Sequence, residues 1–148
     1  MLDNLDLKIL RTLQQNGRTK RSELAELVGL SIPSVSDRLK KLESNGIIEG
    51  YYTKVKRQAF GFDILAFIMV MMDSSKHYKD LIKHVEKHPN IIECYSVLGE
   101  GSHLLKVAVK NTESLEKLLS EIQTWTGIIS TNTTFVLSAI KETTEINI

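Results

Sequence analysis

Residues 22–43 read SELAELVGLSIPSVSDRLKKLE, and their apolar positions form two short helical stripes on either side of Gly29. The first stripe contains Leu24, Leu27 and Val28, and the second contains Val35, Leu39 and Leu42, at i, i+4 and i+7. Ser31 can cap the second helix because its hydroxyl accepts an unpaired backbone N–H. Pro33 fits the first turn of that helix, where a missing N–H costs nothing. This stretch predicts two amphipathic helices that meet at a glycine turn.

The flanking sequence predicts one more helix and a strand. The four predicted elements cover, in order, residues 4–16, 20–28, from 31 onward, and 46–53. Asp3 and Asp6 favour the start of the first helix by placing negative charge at its positive end. Gly17 is expected to end that helix at a positive φ, and Thr19 is expected to cap the next helix. Three helices followed by a short strand, the wing, form a winged helix-turn-helix, which places one helix in a DNA major groove.

The exposed side of the third helix predicts where DNA would bind. We expect the DNA-binding residues to be Ser31, Ser34, Ser36, Asp37, Arg38, Lys40 and Lys41. Early hydroxyls such as those of Ser34 and Ser36 would approach base edges, whereas the basic side chains further along would hold phosphates. Taken alone, the basic residues also fit a solvent-exposed face that binds no partner. The order of the predicted helices and strand favours DNA binding.

Composition and charge limit the possible classes. The net charge is +1, but residues 1–58 hold 11 basic and 7 acidic side chains whereas residues 59–148 hold 8 and 11. A basic first half suits nucleic acid. The longest apolar run, Ile64–Met72, is too short to span a membrane, and the N-terminus shows no signal-peptide pattern. Cys94 is the sole cysteine, so the chain can form neither an internal disulfide nor a zinc site built on several cysteines. A cytoplasmic protein with no membrane partner is expected.

The second half predicts a different domain. Strands are expected at Ile64–Met72, 91–98, 104–109 and 128–140, with helices near 78–85, capped by Ser74 or Ser75, and 115–125, capped by Thr112. The order βαββαβ is the ferredoxin-like motif, so the chain is predicted to be α+β. The predicted domains are 1–53, a linker at 54–63, and 64–148. Apolar residues remain on the sheet face that helices leave open, which predicts pairing with another subunit.

Several stretches together resemble one known family. They are Leu2-Asp3-x-x-Asp6-x-x-Ile9-Leu10, Val28-Gly29-Leu30-Ser31, Val35-x-x-Arg38-Leu39-x-x-Leu42-Glu43, Gly46-x-Ile48-x-Gly50-Tyr51, Gly99-Glu100, Leu104-Leu105-Lys106-Val107 and Thr131-x-Thr133-x-x-Val136-Leu137. In this order they resemble the Lrp/AsnC, or feast/famine, transcriptional regulators over essentially the whole chain. The resemblance implies a DNA-binding regulator without a cofactor. It implies homodimers, often assembled into octamers, that sense a small effector, usually an amino acid, between dimers.

The resemblance also implies an effector site. Its residues would be Gly99, Glu100, Gly101, Ser102, His103, Thr131 and Thr133. A glycine turn can hold a carboxylate on its backbone amides. This chain departs from the family there, because the common Gly-Asp-aromatic-Asp-aromatic is replaced by GEGSH at 99–103. An acid that often meets the ligand's amino group is replaced by Ser102. The effector is therefore expected to differ, or the site to be empty.

The sequence leaves two other functions open, and its histidines, cysteine and tryptophan have structural explanations. An architectural DNA organiser without an effector is one alternative. A sirohaem-decarboxylase-like enzyme is the other, and the lack of Arg in residues 59–148 argues against it, so no catalytic residue is predicted.

His84 and His88 have a zinc-compatible spacing but no third ligand, so both are expected on a solvated face and no metal is predicted. Cys94 is expected to be a packed thiol, and Trp125 a core or dimer contact.

Overall fold

The computed structural model describes residues 2–148, which divide into two compact units. The first unit contains the residues up to Lys54 together with Lys141–Ile148, and the second is Val55–Ile140. The last eight residues therefore make their contacts with the N-terminal unit. The domain limits expected from the sequence, at 53, 54–63 and 64, stay predictions.

The first unit is a three-helix domain. Its helices are α1 at Asn4–Gln15, α2 at Arg21–Val28 and α3 at Ile32–Ser44. One apolar cluster joins all three and contains Ile9, Leu24, Ala25, Val28, Val35 and Leu39. Gly29 makes the turn between α2 and α3 with a φ of 68°. The predicted helix-turn-helix is confirmed, with Ser31 as the N-cap of α3.

Two helix ends differ from expectation. Lys20, not Thr19, occupies the N-cap of α2, because the Thr19 hydroxyl donates to the Asn16 carbonyl at 2.7 Å. The Glu23 carboxylate, one turn into the helix, instead accepts the Lys20 backbone N–H at 3.1 Å. Helix α1 ends at an extended Asn16, and Gly17 is not among the glycines with positive φ. The side chain of Asn16 replaces the expected glycine cap by accepting the N–H of Arg18 at 3.1 Å.

The expected wing strand at 46–53 is absent from the described structure, where this segment is irregular. The backbone N–H groups of Ile47 and Ile48 both donate to the Leu42 carbonyl, at 2.9 and 3.1 Å. A strand needs a neighbouring strand to satisfy its backbone, whereas this segment starts by closing the end of α3. The sequence predicts the apolar content of the wing but not that lack of a partner.

The second unit is a four-stranded antiparallel sheet covered by two helices. Its elements are β1 at Ile64–Met72, α4 at Tyr78–Lys87, β2 at Ile91–Ser96, β3 at His103–Val109, α5 at Thr112–Gln123 and β4 at Ile128–Phe135, with 3-10 turns at Arg57–Phe60 and Ser75–His77. The strand order is β2-β3-β1-β4. The predicted βαββαβ fold is confirmed. In the described part of the chain, no helix is long and apolar enough to cross a membrane.

The limits of two strands and the caps of both helices in this unit differ from those that the sequence predicts. Strand β4 stops at Phe135 instead of 140, because it pairs with β1 and β1 begins at Ile64. Strand β2 stops at Ser96, opposite the first residue of β3. The N-cap of α5 is Asn111, not Thr112, and its side chain accepts the Ser114 N–H at 2.9 Å. The N-cap of α4 is His77, not Ser74 or Ser75, because a 3-10 turn precedes the helix and Ser74 caps that turn.

The two faces of the sheet differ in what covers them. Buried residues of β1 and β3, such as Ile68 and Leu105, pack with Leu81 of α4 and Ile122 of α5. Trp125 joins this core at 6% exposure, which confirms its predicted place. The side chains that alternate with these lie on the opposite face. That face carries apolar, half-buried side chains, as the sequence predicts: Phe67, Met69, Met71 and Leu104.

Candidate nucleic-acid interface and effector site

The exposed face of α3 carries most of the residues predicted to bind DNA. Val35, Leu39 and Leu42 are buried and turn the opposite side of the helix outward. Ser31, Ser34, Asp37, Lys40 and Lys41 are exposed, whereas Ser36 and Arg38 are half-buried. At 100° per residue, Ser36 and Arg38 fall on opposite flanks of the helix, between the buried and exposed faces. The structure thus brings five of the seven residues onto one surface.

The first turn of α3 is shaped by two hydroxyls. Ser31 Oγ accepts the Ser34 backbone N–H at 3.3 Å, and the two Oγ atoms lie 2.8 Å apart. Each serine therefore has a hydrogen-bonding partner in the protein itself. Ile32, next to them, keeps 49% of its surface exposed, so the same end of the helix also has an exposed apolar surface. This end of α3 offers small polar groups and one methyl-rich side chain to a partner.

Arg38 is bound to the start of α1. Its Nη1 donates to Asp3 Oδ2 at 2.6 Å and to Asp6 Oδ1 at 2.7 Å. The pKa of Asp3 is lowered by hydrogen bonds from the Asp6 backbone and from Arg38, and the pKa of Arg38 is raised by its bonds to both carboxylates. The sequence explains Asp3 and Asp6 only as helix-start charges, because nothing in it shows that Arg38 lies beside them.

The segment after α3 has its own contacts. The Tyr51 hydroxyl donates to Glu43 Oε1 at 3.0 Å, whereas the neighbouring Tyr52 is 86% exposed. Burial, followed by the bond to Glu43, raises the pKa of Tyr51. Lys54 lies 3.4 Å from Glu142 Oε2 and donates to the Glu142 carbonyl at 2.9 Å. The base nearest the expected wing is therefore attached to the C-terminal segment.

The turn between β2 and β3 is the predicted effector site, and Ser102 closes it. The Val97 N–H donates to the Ser102 carbonyl at 3.0 Å. The Ser102 N–H and hydroxyl both donate to the Val70 carbonyl, at 2.9 and 3.1 Å. Gly99, with a φ of 145°, and Glu100 are exposed at the tip. Ser102 is therefore used to hold the turn on β1.

Gly101 lies so close to β1 that a side chain there would require Met69 to move. A Cβ atom there would collide with the Met69 side chain and lie 3.1 Å from the Val70 carbonyl oxygen. The glycine that replaces the family's usual aromatic residue is thus matched to its neighbour Met69. Sequence patterns give no sign of this close approach, because Gly101 lies in the turn before β3 whereas Met69 belongs to β1.

His103 is buried, with 4% of its surface exposed. Its ring meets Tyr78 edge to face with a centroid distance of 4.7 Å, and its Nδ1 lies 3.0 Å from Ser102 Oγ. Because that hydroxyl donates to Val70, it accepts from His103, which assigns the proton to Nδ1. Burial lowers the pKa of His103. Tyr78, which the sequence did not single out, is the aromatic neighbour at this site.

The two threonines predicted for the site lie on β4. Thr131 is opposite Val70, and Val70 is opposite His103 on its other side. Side chains at directly opposed positions share a sheet face, so Thr131 and His103 face the helices together. Thr133 follows two residues on, opposite Ile68, and both threonines are half-buried. The structure thus groups Ser102, His103 and Thr131 around one residue of β1.

The remaining candidate residues pack against the helices. His84 stacks on Trp125 with a centroid distance of 4.7 Å and an angle of 9°, and stays exposed on its other side. His88 is half-buried and lies 3.3 Å from Glu121 Oε2, so the expected solvated face is wrong for it. Burial raises the pKa of Cys94, which is half-buried as a packed thiol. No group of three potential metal ligands occurs within residues 2–148.

Comparisons with known proteins cover both units. Residues 2–49 match winged helix-turn-helix DNA-binding domains, and residues 65–146 match the Lrp/AsnC ligand binding domain. HTH-type transcriptional regulator FL11 of Pyrococcus furiosus is 33% identical over 146 residues, which cover 99% of this chain and 96% of FL11. A transcriptional regulator of Neisseria meningitidis, solved in complex with L-Met, matches with a TM-score of 0.93 at 32% identity, covering 99% of this chain and 97% of that one. The feast or famine regulatory protein of M. tuberculosis, complexed with L-methionine, matches with a TM-score of 0.92 at 32% identity, covering 99% of both chains. This chain therefore belongs to the Lrp/AsnC family of DNA-binding transcriptional regulators.

Proposed function

We propose that this regulator reads a specific DNA sequence with α3 and responds to an amino acid bound near residues 99–102. The exposed face of α3 is the observation that carries the first half. It presents Ser34 near the N-terminal end and Lys40 and Lys41 further along. Short polar groups that reach base edges and bases that hold phosphates are the two contact types of a recognition helix.

The proposed DNA contacts are divided by position. Ser31 caps α3, and Ser34, Ser36 and Asp37 lie in its first half. These four residues would determine sequence preference. Lys40 and Lys41 would hold phosphates. A homodimer would present two such helices, reading half-sites about one helical turn, or ~10 bp, apart. The half-buried apolar face of the sheet supports that homodimer, and assembly to an octamer is the further state that we propose.

An amino-acid effector is supported by the two L-methionine complexes of related proteins. In this chain, the turn amides would hold the effector's carboxylate, and the exposed Glu100 would meet its ammonium group. Ser102 and His103 would act from behind, because Ser102 holds the turn on Val70 and His103 is buried against Tyr78. Thr131 and Thr133 would border the same region from β4.

The experiment is a binding titration with the DNA upstream of the protein's own gene, in the presence of unrelated competitor DNA. We expect a specific, laddered gel shift that at least one of the twenty amino acids alters. Replacing Lys40 and Lys41 together by Ala should weaken binding to every sequence and flatten its salt dependence. Lys117→Ala is the matched control, because Lys117 is an exposed lysine of α5 paired with Glu113.

An architectural DNA organiser is the second candidate, and the altered turn at 99–103 favours it. Such a protein would bind the competitor as well as the upstream DNA, and no amino acid would change the shift. Absence of DNA binding at moderate salt would overturn both candidates. The cytoplasmic location expected from the sequence stays a prediction.

A further inference from the structure

We propose that Arg38 is a positioning residue that fixes α3 to the start of α1 and thereby sets how the exposed face of α3 meets DNA. The proposal rests on DNA binding through α3, as proposed above. It assigns Arg38 a role different from that of Lys40 and Lys41, which project into solvent from the same helix.

Every carboxylate oxygen of Asp3 and Asp6 accepts a hydrogen bond, either from the first turn of α1 or from Arg38. Asp3 is the N-cap of α1, and its Oδ1 accepts the N–H groups of Leu5 and Asp6 at 2.9 and 2.8 Å. Asp6 Oδ2 accepts the Asp3 N–H at 3.1 Å, which completes a capping box. The remaining oxygen of each carboxylate binds Arg38 Nη1. The helix cap of α1 and the anchor of α3 are therefore one cluster.

The burial of Asp6 distinguishes this cluster from an ion pair that is fully exposed to solvent. The side chain of Asp6 is 13% exposed, and that of Arg38 is 27% exposed, whereas Asp3 is 50% exposed. A carboxylate withdrawn from water needs a partner, and removing only one member of such a pair leaves the other unsatisfied. Asp6 and His103 are the two buried polar or charged residues in the described part of the chain. Arg38 is thus the cation that permits Asp6 to lie under α3.

Neutralising Asp3 or Asp6 distinguishes a positioning role of Arg38 from direct phosphate contact, because the two roles predict opposite changes in DNA binding. DNA repels Asp3 and Asp6, so neutralising either should strengthen DNA binding if only charge mattered. If the cluster positions α3, neutralising either carboxylate should instead weaken binding. The loss of Arg38 should then leave the number of released counterions, and hence the salt slope, unchanged.

The test compares full-length Arg38→Met, Asp6→Asn and the double variant with wild type, using the upstream duplex at several salt concentrations. We expect both single variants to weaken binding by on the order of tenfold, the scale of one lost charge-assisted hydrogen bond. The double variant should be no weaker than the worse single variant, because the residues act as a unit. Lys41→Met, the matched control, should lower the salt slope by about 0.9, and Arg38→Met should not change it.

Asp3→Asn keeps the test decisive if the Asp6 variant does not fold. Asparagine is as good an N-cap as aspartate, so this variant removes charge at an exposed position and retains the cap. Weaker DNA binding by Asp3→Asn supports positioning. Stronger binding by the Asp variants, together with a lower salt slope for Arg38→Met, would overturn it and return Arg38 to the phosphate contacts. If wild type itself does not bind the duplex, the proposed function has failed, which is a different result.

Discussion

Single residues hold the turn between β2 and β3 in its shape. Gly101 has no room for a Cβ beside Met69, Ser102 donates twice to Val70, and His103 is buried behind them. Each of these three residues makes its contacts within the protein and supports the shape of the turn. A sequence pattern identifies the turn, but the contacts across strands that decide which atoms face a ligand are visible only in the fold.

Gly101→Ala should destabilise the second unit by about 1–3 kcal/mol, the usual cost of overpacking. The added methyl group has to displace Met69 or the Val70 carbonyl. Urea unfolding followed by circular dichroism measures the change. Gly17→Ala is the control, since a Cβ there comes no closer than 3.8 Å to the nearest atom and should cost nothing comparable. Adding Met69→Ala to Gly101→Ala should recover part of the loss, and a loss that stays the same would show that Met69 is not the obstacle.

Protonation of His103 should weaken the fold. Burial lowers its pKa in the folded state, so the unfolded chain binds the proton more readily than the folded chain does. Its contribution is therefore complete above the unfolded value of about 6.5 and falls as the pH drops below it. Measured between pH 8 and 5, the free energy of unfolding should decrease less in His103→Asn than in wild type. Parallel pH curves for the two proteins would show that His103 does not titrate with folding.

At the scale of elements, the sequence predicts what periodicity determines. Strand β1 was predicted with its observed limits, Ile64–Met72, because a continuous apolar run lies between two partner strands. Strand β4 was predicted too long, since the end of its partner β1 decides where it stops. The wing at 46–53 has strand-forming residues but no partner, so it stays irregular. The sequence predicts the α-helices of both units, but it is least accurate for their N-caps. Several polar residues near the start of a helix can accept its first N–H groups.

Substitution of the α5 cap measures that competition directly. Asn111→Ala should cost about 1 kcal/mol, because the Asn111 side chain satisfies the Ser114 N–H, which has no partner within the helix. Thr112→Ala, the cap expected from the sequence, should cost only a few tenths of that, since Thr112 is already inside the helix. Thermal unfolding of the two variants gives the comparison. A larger effect at Thr112 would contradict the cap assignment.

At the scale of the whole molecule, the N-terminal unit is built from both ends of the chain. The polypeptide leaves this unit after Lys54 and returns to it at Lys141. The side chain of Gln14 binds the backbone of Ile146 twice, donating to its carbonyl at 3.0 Å and accepting its N–H at 2.8 Å. Arg11 Nε donates to the Ile148 carbonyl at 2.6 Å. No sequence pattern predicts this, because hydrogen bonds to backbone atoms place no requirement on the residues of the segment they hold.

Gln14→Ala should release the C-terminal segment from α1 while leaving the three-helix core folded. It removes both bonds to Ile146, each with a net contribution of about 1 kcal/mol, but none of the apolar cluster around Ile9. Hydrogen exchange at the Ile146 amide should therefore accelerate on the order of tenfold or more, whereas exchange within α3 should stay the same. Lys8→Ala, an exposed change on the same helix, should leave both rates unaltered. Equal acceleration at Ile146 and in α3 would mean that the segment and the helices open as one unit, so that the C-terminal residues are part of the domain's cooperative core.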